Sequence, residues 1–382
     1  MRLEKVFDFL ASLKLSVVVL TLALVIVFWG TLAQVNMGLY KAQNEFFRSF
    51  FIYWQPQGAT WKIPIFPGGY TVGFVFLFNL LAAQIKTFEL SVKKFGLVLV
   101  HVGLILLLIG QLATDMLAVE STMHIREGEA KNYSEMDRYV ELAVINTTAG
   151  DRERVTAIPQ DALTHESEIQ DPSLPFAIHV RHFYPNSAVT QVDPMSGEKG
   201  VATQGFGPQV SVRETARETD MNRRDMPGAL LELTTPQGSL GTWFVSLWIE
   251  QPQHVHVGNQ EFEVVLRPQR LYKPYTIHLL SFTHEVYPGT EIPKDFSSMV
   301  RVQNPQTGED RQVRIYMNNP LRYGGETYYQ ASFDTDNKGT ILQVVRNPSW
   351  LTPYFSCVLV GIGLLWQFLV HLIPFLKRKV AL

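Results

Sequence analysis

The run LSVVVLTLALVIVFWGTLAQV, residues 15–35, contains no charged side chain. It is longer than the ~7–15 apolar residues of a secretion signal, and no small-residue cleavage pattern follows it, so it reads as a retained helix. Crossing a bilayer takes about 20 mostly apolar residues, and backbone polar groups inside lipid must be satisfied within the segment. Three further stretches have the same character: 70–85 (YTVGFVFLFNLLAAQI), 95–113 and 351–375. The expected organisation is therefore a membrane helix within 1–35, a loop over 36–69, and membrane helices over 70–86, 95–114 and 351–376 with a basic tail to 382. Between the third and fourth helices lies one large segment, 115–348.

Lys and Arg set the orientation. Arg2, Lys5 and Lys14 precede the first helix. Lys86, Lys93 and Lys94 fill the link between the second and third. Lys377, Arg378 and Lys379 follow the fourth. With four crossings these clusters fall on one side, which places both termini in the cytoplasm and 115–348 outside. The formal net charge of −2 gives no basic footprint for nucleic acid. The lipid bilayer is the expected partner of the helices.

The single cysteine, Cys357, sits inside the fourth helix. No disulfide can close within this chain, and without Cys-x-x-Cys it is neither a thioredoxin-like reductase nor a cytochrome carrying its own covalent haem.

The outer segment reads as many short strands. YVELAVI, FAIHVRHFY, TWFVSLWI, FEVVLRP and TYYQASF favour β-branched and aromatic residues, and TPQG, YPGT and NPQTG supply turns. The fold class expected is α+β: four membrane helices and an antiparallel sandwich or open barrel. Residues 186–227 are polar and weakly patterned and read as a long loop. The aromatic stretch around Trp54 and Trp61 either lies at the headgroup level or packs under the outer domain.

Within HVGLILLLIG, residues 101–110, a histidine opens an otherwise apolar run. An ionisable side chain in a membrane helix is a functional hypothesis that needs a named partner. His371 of the fourth helix is the candidate: it is 6 residues before Lys377, and His101 is 7 after Lys94. At the helical rise both lie ~10 Å in from the basic clusters. Two imidazoles at one depth can hold haem iron; the alternative is hydrogen bonding across a helix interface. Gly96, Gly103 and Gly110 recur every seven residues as a close-packing stripe, with His101 on the opposite face beside Leu97, Ile105 and Leu108. Asn79 is expected to bond across an interface, and Gln84 to sit at the membrane edge. His254 and His256 share a strand face; His179 and His182 do not; His278 and His284 are even-spaced.

Four stretches resemble the ResB-type (CcsB-type) cytochrome c biogenesis proteins. They are FLASLKLSVVVLTLALVIVFWGTLAQ, KKFGLVLVHVGLILLLIGQL, STMHIREGEAKNY and, most specifically, MNNPLRYGGETYYQASFD. Ala82, Ala83 and Lys86 after Asn79-Leu80, and RNPSWLTPYF before the last helix, depart from the common pattern and mark a divergent branch. The resemblance implies non-covalent haem b with His101 and His371 as axial ligands. It implies a ResC (CcsA-like) membrane partner and delivery to apocytochrome c, with no catalytic chemistry in this chain. A bis-histidine haem anchor for electron transfer and a haem-free assembly scaffold are the competing readings.

Overall fold

A computed structural model describes residues 2–56, 58–89, 91–149, 153–193, 199–221, 223–290 and 293–380. The chain forms two compact units. One comprises 1–119, 219–221 and 346–382, the other 120–218 and 222–345.

The first unit is helical. α1 (Arg2–Leu10) leads into α2 (Leu13–Met37), with Ser12 capping its N-terminus by accepting a bond from the Leu15 amide. A short α3 (Leu39–Ala42) continues into a π-helical turn, Gln43–Phe47. The hairpin β1 (Phe51–Trp54) and β2 (Ile63–Pro67) follows. Then come α4 (Gly69–Thr87) and α5 (Phe95–Leu117). Four described helices are long and apolar enough to cross a membrane: α2, α4, α5 and the closing helix, whose apolar span is Thr352–Lys377. Their apolar side chains are largely uncovered by protein, among them Leu24, Phe28 and Val35 on α2. A water-soluble fold would hide such faces; a bilayer covers them.

Asn79 of α4 shows how a polar group is accommodated there. It is fully buried. Its Oδ1 accepts from Ser16 Oγ at 2.6 Å, and its Nδ2 donates to the carbonyls of Leu10 (2.6 Å) and Ser12 (3.2 Å). The expected interface bond is present. It ties α4 to the break between α1 and α2, where the Leu10 carbonyl closes α1 and Ser12 caps α2.

The second unit is the β domain. Its strands in order are β3 (Val119–Arg126), β4 (Ala130–Asn146), β5 (Arg154–Pro159), β6 (Glu168–Ile169), β7 (Ala177–Tyr184), β8 (Ser187–Gln191), β9 (Val210–Glu214), β10 (Gly228–Thr235) and β11 (Gly238–Ser246). They continue with β12 (Gln253–Val257), β13 (Gln260–Val286), β14 (Pro293–Asn304), β15 (Glu309–Tyr316), β16 (Leu321–Tyr323), β17 (Glu326–Phe333) and β18 (Gly339–Arg346). A short α6 (Gln160–His165) follows β5, and α7 (Thr352–Val380) ends the chain. A ten-stranded sheet runs β15-β14-β13-β4-β3-β18-β17-β16, with β12 on β13 and β5 on β4; a four-stranded sheet runs β11-β10-β7-β6. All of the described pairings between these strands are antiparallel. Residues 186–227 differ from the loop expected. They hold the two-stranded β8–β9 sheet; residues 194–198 and 222 lie outside the described residues. Its strands are short and its connection long, so alternation of apolar and polar residues is too brief to register as a strand signal.

Two cores form because β4 and β13 are long enough to serve both. Their paired region, Val140–Asn146 with Phe262–Pro268, packs with β7, β10 and β11 in a sandwich around Leu142, Ile178, Leu231 and Phe262. The later part of β13 packs with β14, β15, β17 and β18 around Ile125, Ile277, Val300 and Tyr328. In that second core the hydroxyls of Tyr275 and Tyr328 lie 2.8 Å apart and reach Glu326 at 3.0 and 2.8 Å. Lys273 Nζ pairs with the same carboxylate at 2.7 Å. Burial pushes both phenols well above the usual tyrosine range, so they stay protonated. A largely desolvated carboxylate needs its donors. Tyr328→Phe in the full chain should therefore lower stability by about 1–3 kcal/mol, read as a lower chemical-denaturation midpoint in detergent. An unchanged midpoint would show that the hydroxyl is not part of what holds this core.

Candidate functional site

α5 and α7 meet along the glycine stripe. A β-carbon on Gly103 would lie 2.7 Å from Val360 Cγ2 and 3.0 Å from the Ser356 carbonyl. One on Gly96 would lie 2.6 Å from the Gly363 carbonyl, and one on Gly110 would strike Thr352. Only glycine permits this approach, which is why the seven-residue spacing matters. Ser349 Oγ donates to the Gly110 carbonyl at 3.2 Å, and Asn347 Nδ2 donates to Thr114 Oγ1 at 3.2 Å. The seam is thus locked at one end by hydrogen bonds. Near its other end Phe95 meets Trp366 edge-on, and Trp366 Nε1 donates to the Val92 carbonyl at 2.8 Å.

This seam decides where the two membrane histidines go. His101 lies opposite the glycine stripe, so it faces away from α7. Its Nδ1–H donates to Gln84 Oε1 of α4 at 3.2 Å. Val100 lies beside Gly363, so His101 is level with residues near 361 of α7. His371 is about ten residues farther on, ~15 Å at the helical rise. It prolongs the row Thr352, Ser356, Val360, Gly363, Gln367 beyond the start of α5 at Phe95. Its Nε2 lies 2.9 Å from Gln367 Nε2. The equal depth inferred from flanking charges is therefore not what the packing produces, and His101 and His371 do not converge. Charge clusters mark where a helix leaves the apolar phase; they do not fix the register of one helix against another.

Gln84, expected to be incidental, orients His101. The face of α4 that carries Gln84 also carries Leu77 and Tyr70 at seven-residue intervals. The face of α5 that carries His101 carries Leu108 and Asp115. The two rows run antiparallel, with Gln84 on His101 at one end and Tyr70 on Asp115 at the other. Fourteen residues separate these pairs, ~21 Å along the helices. At the Tyr70 end, Asp115 accepts from the Tyr70 hydroxyl and pairs with Arg48 Nε at 2.7 Å. Arg48 is brought there because Gly69, without a side chain, lets the Phe47 backbone press onto the first turn of α4. A cavity of about 510 Å³ opens beside this cluster, lined by α4, α5 and residues 39–48. Asp115 escapes a reading of the sequence because α5 runs to Leu117, past the expected end at 114. The spacing 101, 108, 115 was the available signal.

The β-domain histidines separate into ordinary positions. His254 and His256 are both exposed on β12, and His254 sits 3.2 Å from Glu261. His179 is bonded to Thr234 at 2.9 Å. His278 and His284 do not share a face, because the β13–β14 register shifts between Leu279 and Ser281 and reverses the alternation. His284 lies against Phe333 with the rings tilted by 43°, and its Nδ1–H donates to Asn337 Oδ1 at 3.0 Å. Among the described residues no group of three or more His, Cys, Asp or Glu side chains is placed to hold a metal ion.

Comparison with known proteins adds two findings. Residues 235–347, from the end of β10 to just past β18, match the ResB-like family model. The chain is also 26% identical over 272 residues to Protein NrfI of Wolinella succinogenes, covering 71% of this chain and 27% of that one. The chain thus spans about a quarter of the length of this curated relative.

The α5–α7 register can be checked by crosslinking in a Cys357→Ser background. Thr114→Cys with Asn347→Cys, whose native side chains are hydrogen-bonded at 3.2 Å, should be joined by a short bifunctional thiol reagent. His101→Cys with His371→Cys should not. The reverse pattern would overturn the register.

Proposed function

We propose, from the match of residues 235–347 to the ResB-like family model and the similarity to Protein NrfI, that this chain is a ResB-like membrane subunit in cytochrome c biogenesis and binds haem b through His101. One observation carries the haem reading. The bond from His101 Nδ1–H to Gln84 Oε1 fixes the ring and leaves Nε2 with its lone pair as the free nitrogen. A metal-ligating histidine is ordinarily held in that way through its other nitrogen.

The residues around His101 fit a haem that this histidine would hold through Nε2. Leu104 and Ile105 share the His101 face of α5 and supply an apolar wall on which a porphyrin can lie. Haem, once bound, supplies the redox-active iron. Among the described residues of the four long helices, His101 and His371 are the only histidines. His371 lies ~15 Å away along the seam, so His101 would hold the iron from this chain and a further ligand would come from a residue outside it. A ResC-like membrane partner is the proposed supplier, and apocytochrome c the proposed destination. Holding haem for delivery requires no bond-making chemistry from the chain, which binds, orients and shields. Following the distribution of Lys and Arg, both termini are assigned to the cytoplasm and the β domain to the extracytoplasmic side.

The test is the absorption spectrum of the purified full chain, co-expressed with a ResC-like partner. The reduced low-spin haem b bands should vanish in His101→Ala and return with added imidazole. They should persist in His371→Ala. Gln84→Leu should weaken haem affinity by about 10- to 100-fold, the usual effect of removing a ligand's orienting partner. A His101→Ala protein with an unaltered spectrum would refute the assignment.

A further inference from the structure

The cavity at the Tyr70–Asp115 end of the α4–α5 groove has its polar end ~21 Å along α5 from His101 and its nearest α5 lining residue, Leu108, ~10 Å from it. Its walls are apolar: Leu39, Phe47, Phe74, Leu77, Leu108 and Leu112. At about 510 Å³ it falls within the ~300–1,000 Å³ typical of small-molecule sites. Gly73 keeps it open, since a β-carbon built there would meet nothing within 4 Å. Its polar lining is of two kinds. Arg48 and Asp115 neutralise one another, and Asp115 also accepts the Tyr70 hydroxyl. The carboxamides of Gln43 and Gln111 line the same space and make no side-chain hydrogen bond among the described residues. Gln111 lies in the last two turns of α5, one turn before Asp115, with its carboxamide uncovered by protein.

These features specify a ligand. The polar end has no net charge, because its cation is already paired, so a phosphate or carboxylate head group finds no free positive partner. Two carboxamides offer both N–H donors and carbonyl acceptors, which suits an uncharged head bearing carbonyl or hydroxyl groups. The apolar walls suit a hydrocarbon chain. We propose that this cavity binds a membrane quinone, its ring oxygens bonded by Gln111 and Gln43 and its chain laid along Leu77, Phe74 and Leu108. Arg48, Asp115 and Tyr70 hold the mouth of the site in shape. The proposal concerns binding and does not depend on haem.

The test uses the full chain in phosphatidylcholine nanodiscs, titrated with a benzoquinone carrying a ten-carbon chain and followed by calorimetry. Gly73→Leu fills the cavity, Gln111→Leu removes the carboxamide, and Leu24→Ala, on the exposed face of α2, is the control. Saturable binding is expected in the wild type and in Leu24→Ala, weakened at least tenfold in both cavity variants. Melting temperatures in nanodiscs show whether each variant is folded; if Gly73→Leu is not, Gln111→Leu decides. No saturable binding, or equal binding by wild type and Gln111→Leu, would overturn the proposal. So would a phospholipid that is retained through detergent extraction, lost in both variants and not displaced by quinone: that outcome makes the cavity a lipid site.

Discussion

Everything in the helical unit depends on how closely α5 and α7 approach. Three glycines on one helix let the backbone of the other sit where side chains would otherwise intervene, and dispersion between the two surfaces holds them. The contact consumes one whole face of α5. Whatever else α5 carries must then point toward α4 or toward lipid, and His101 points toward α4. A histidine expected to share a ligand with α7 is turned from it by its own helix's best packing surface.

The α4 side is held differently. Here polar pairs stand at the two ends of a more open groove, Gln84 with His101 and Tyr70 with Asp115. In an apolar medium such groups act as pins, because each has no solvent to fall back on. Between the pins the walls are leucine and phenylalanine with Gly73 opening one side. A tight seam on one face and a pinned groove on the other give α5 two faces, one for anchoring and one for the proposed binding.

The β domain illustrates why the most recognisable motif need not mark a site. The tyrosine-rich segment around Tyr323–Gln330 falls within the part of the chain that matches the ResB-like family. Its Tyr328 is buried with Lys273 and Tyr275, and the partly buried Glu326 joins them in one network. Such a network specifies one arrangement of strands, since any slip leaves a carboxylate without donors. The motif thus reports the fold, while the residues proposed to bind ligands lie in helices outside the matched segment.

The sequence by itself determined the membrane helices, the antiparallel β character and the glycine stripe, because each is a local pattern: length and apolarity, alternation, a period of seven. Asn79 was legible for the same reason, as a lone polar residue in an apolar run. Tertiary structure alone decided which residues meet. The α5–α7 register placed His371 beyond the end of α5, since it follows from glycine contacts and not from distance to flanking lysines. A single bulge in β13 sent His278 and His284 to opposite faces. The cluster of Arg48, Tyr70 and Asp115 joins three segments that no spacing rule connects, and only the fold of the chain onto α4 could bring them to one cavity.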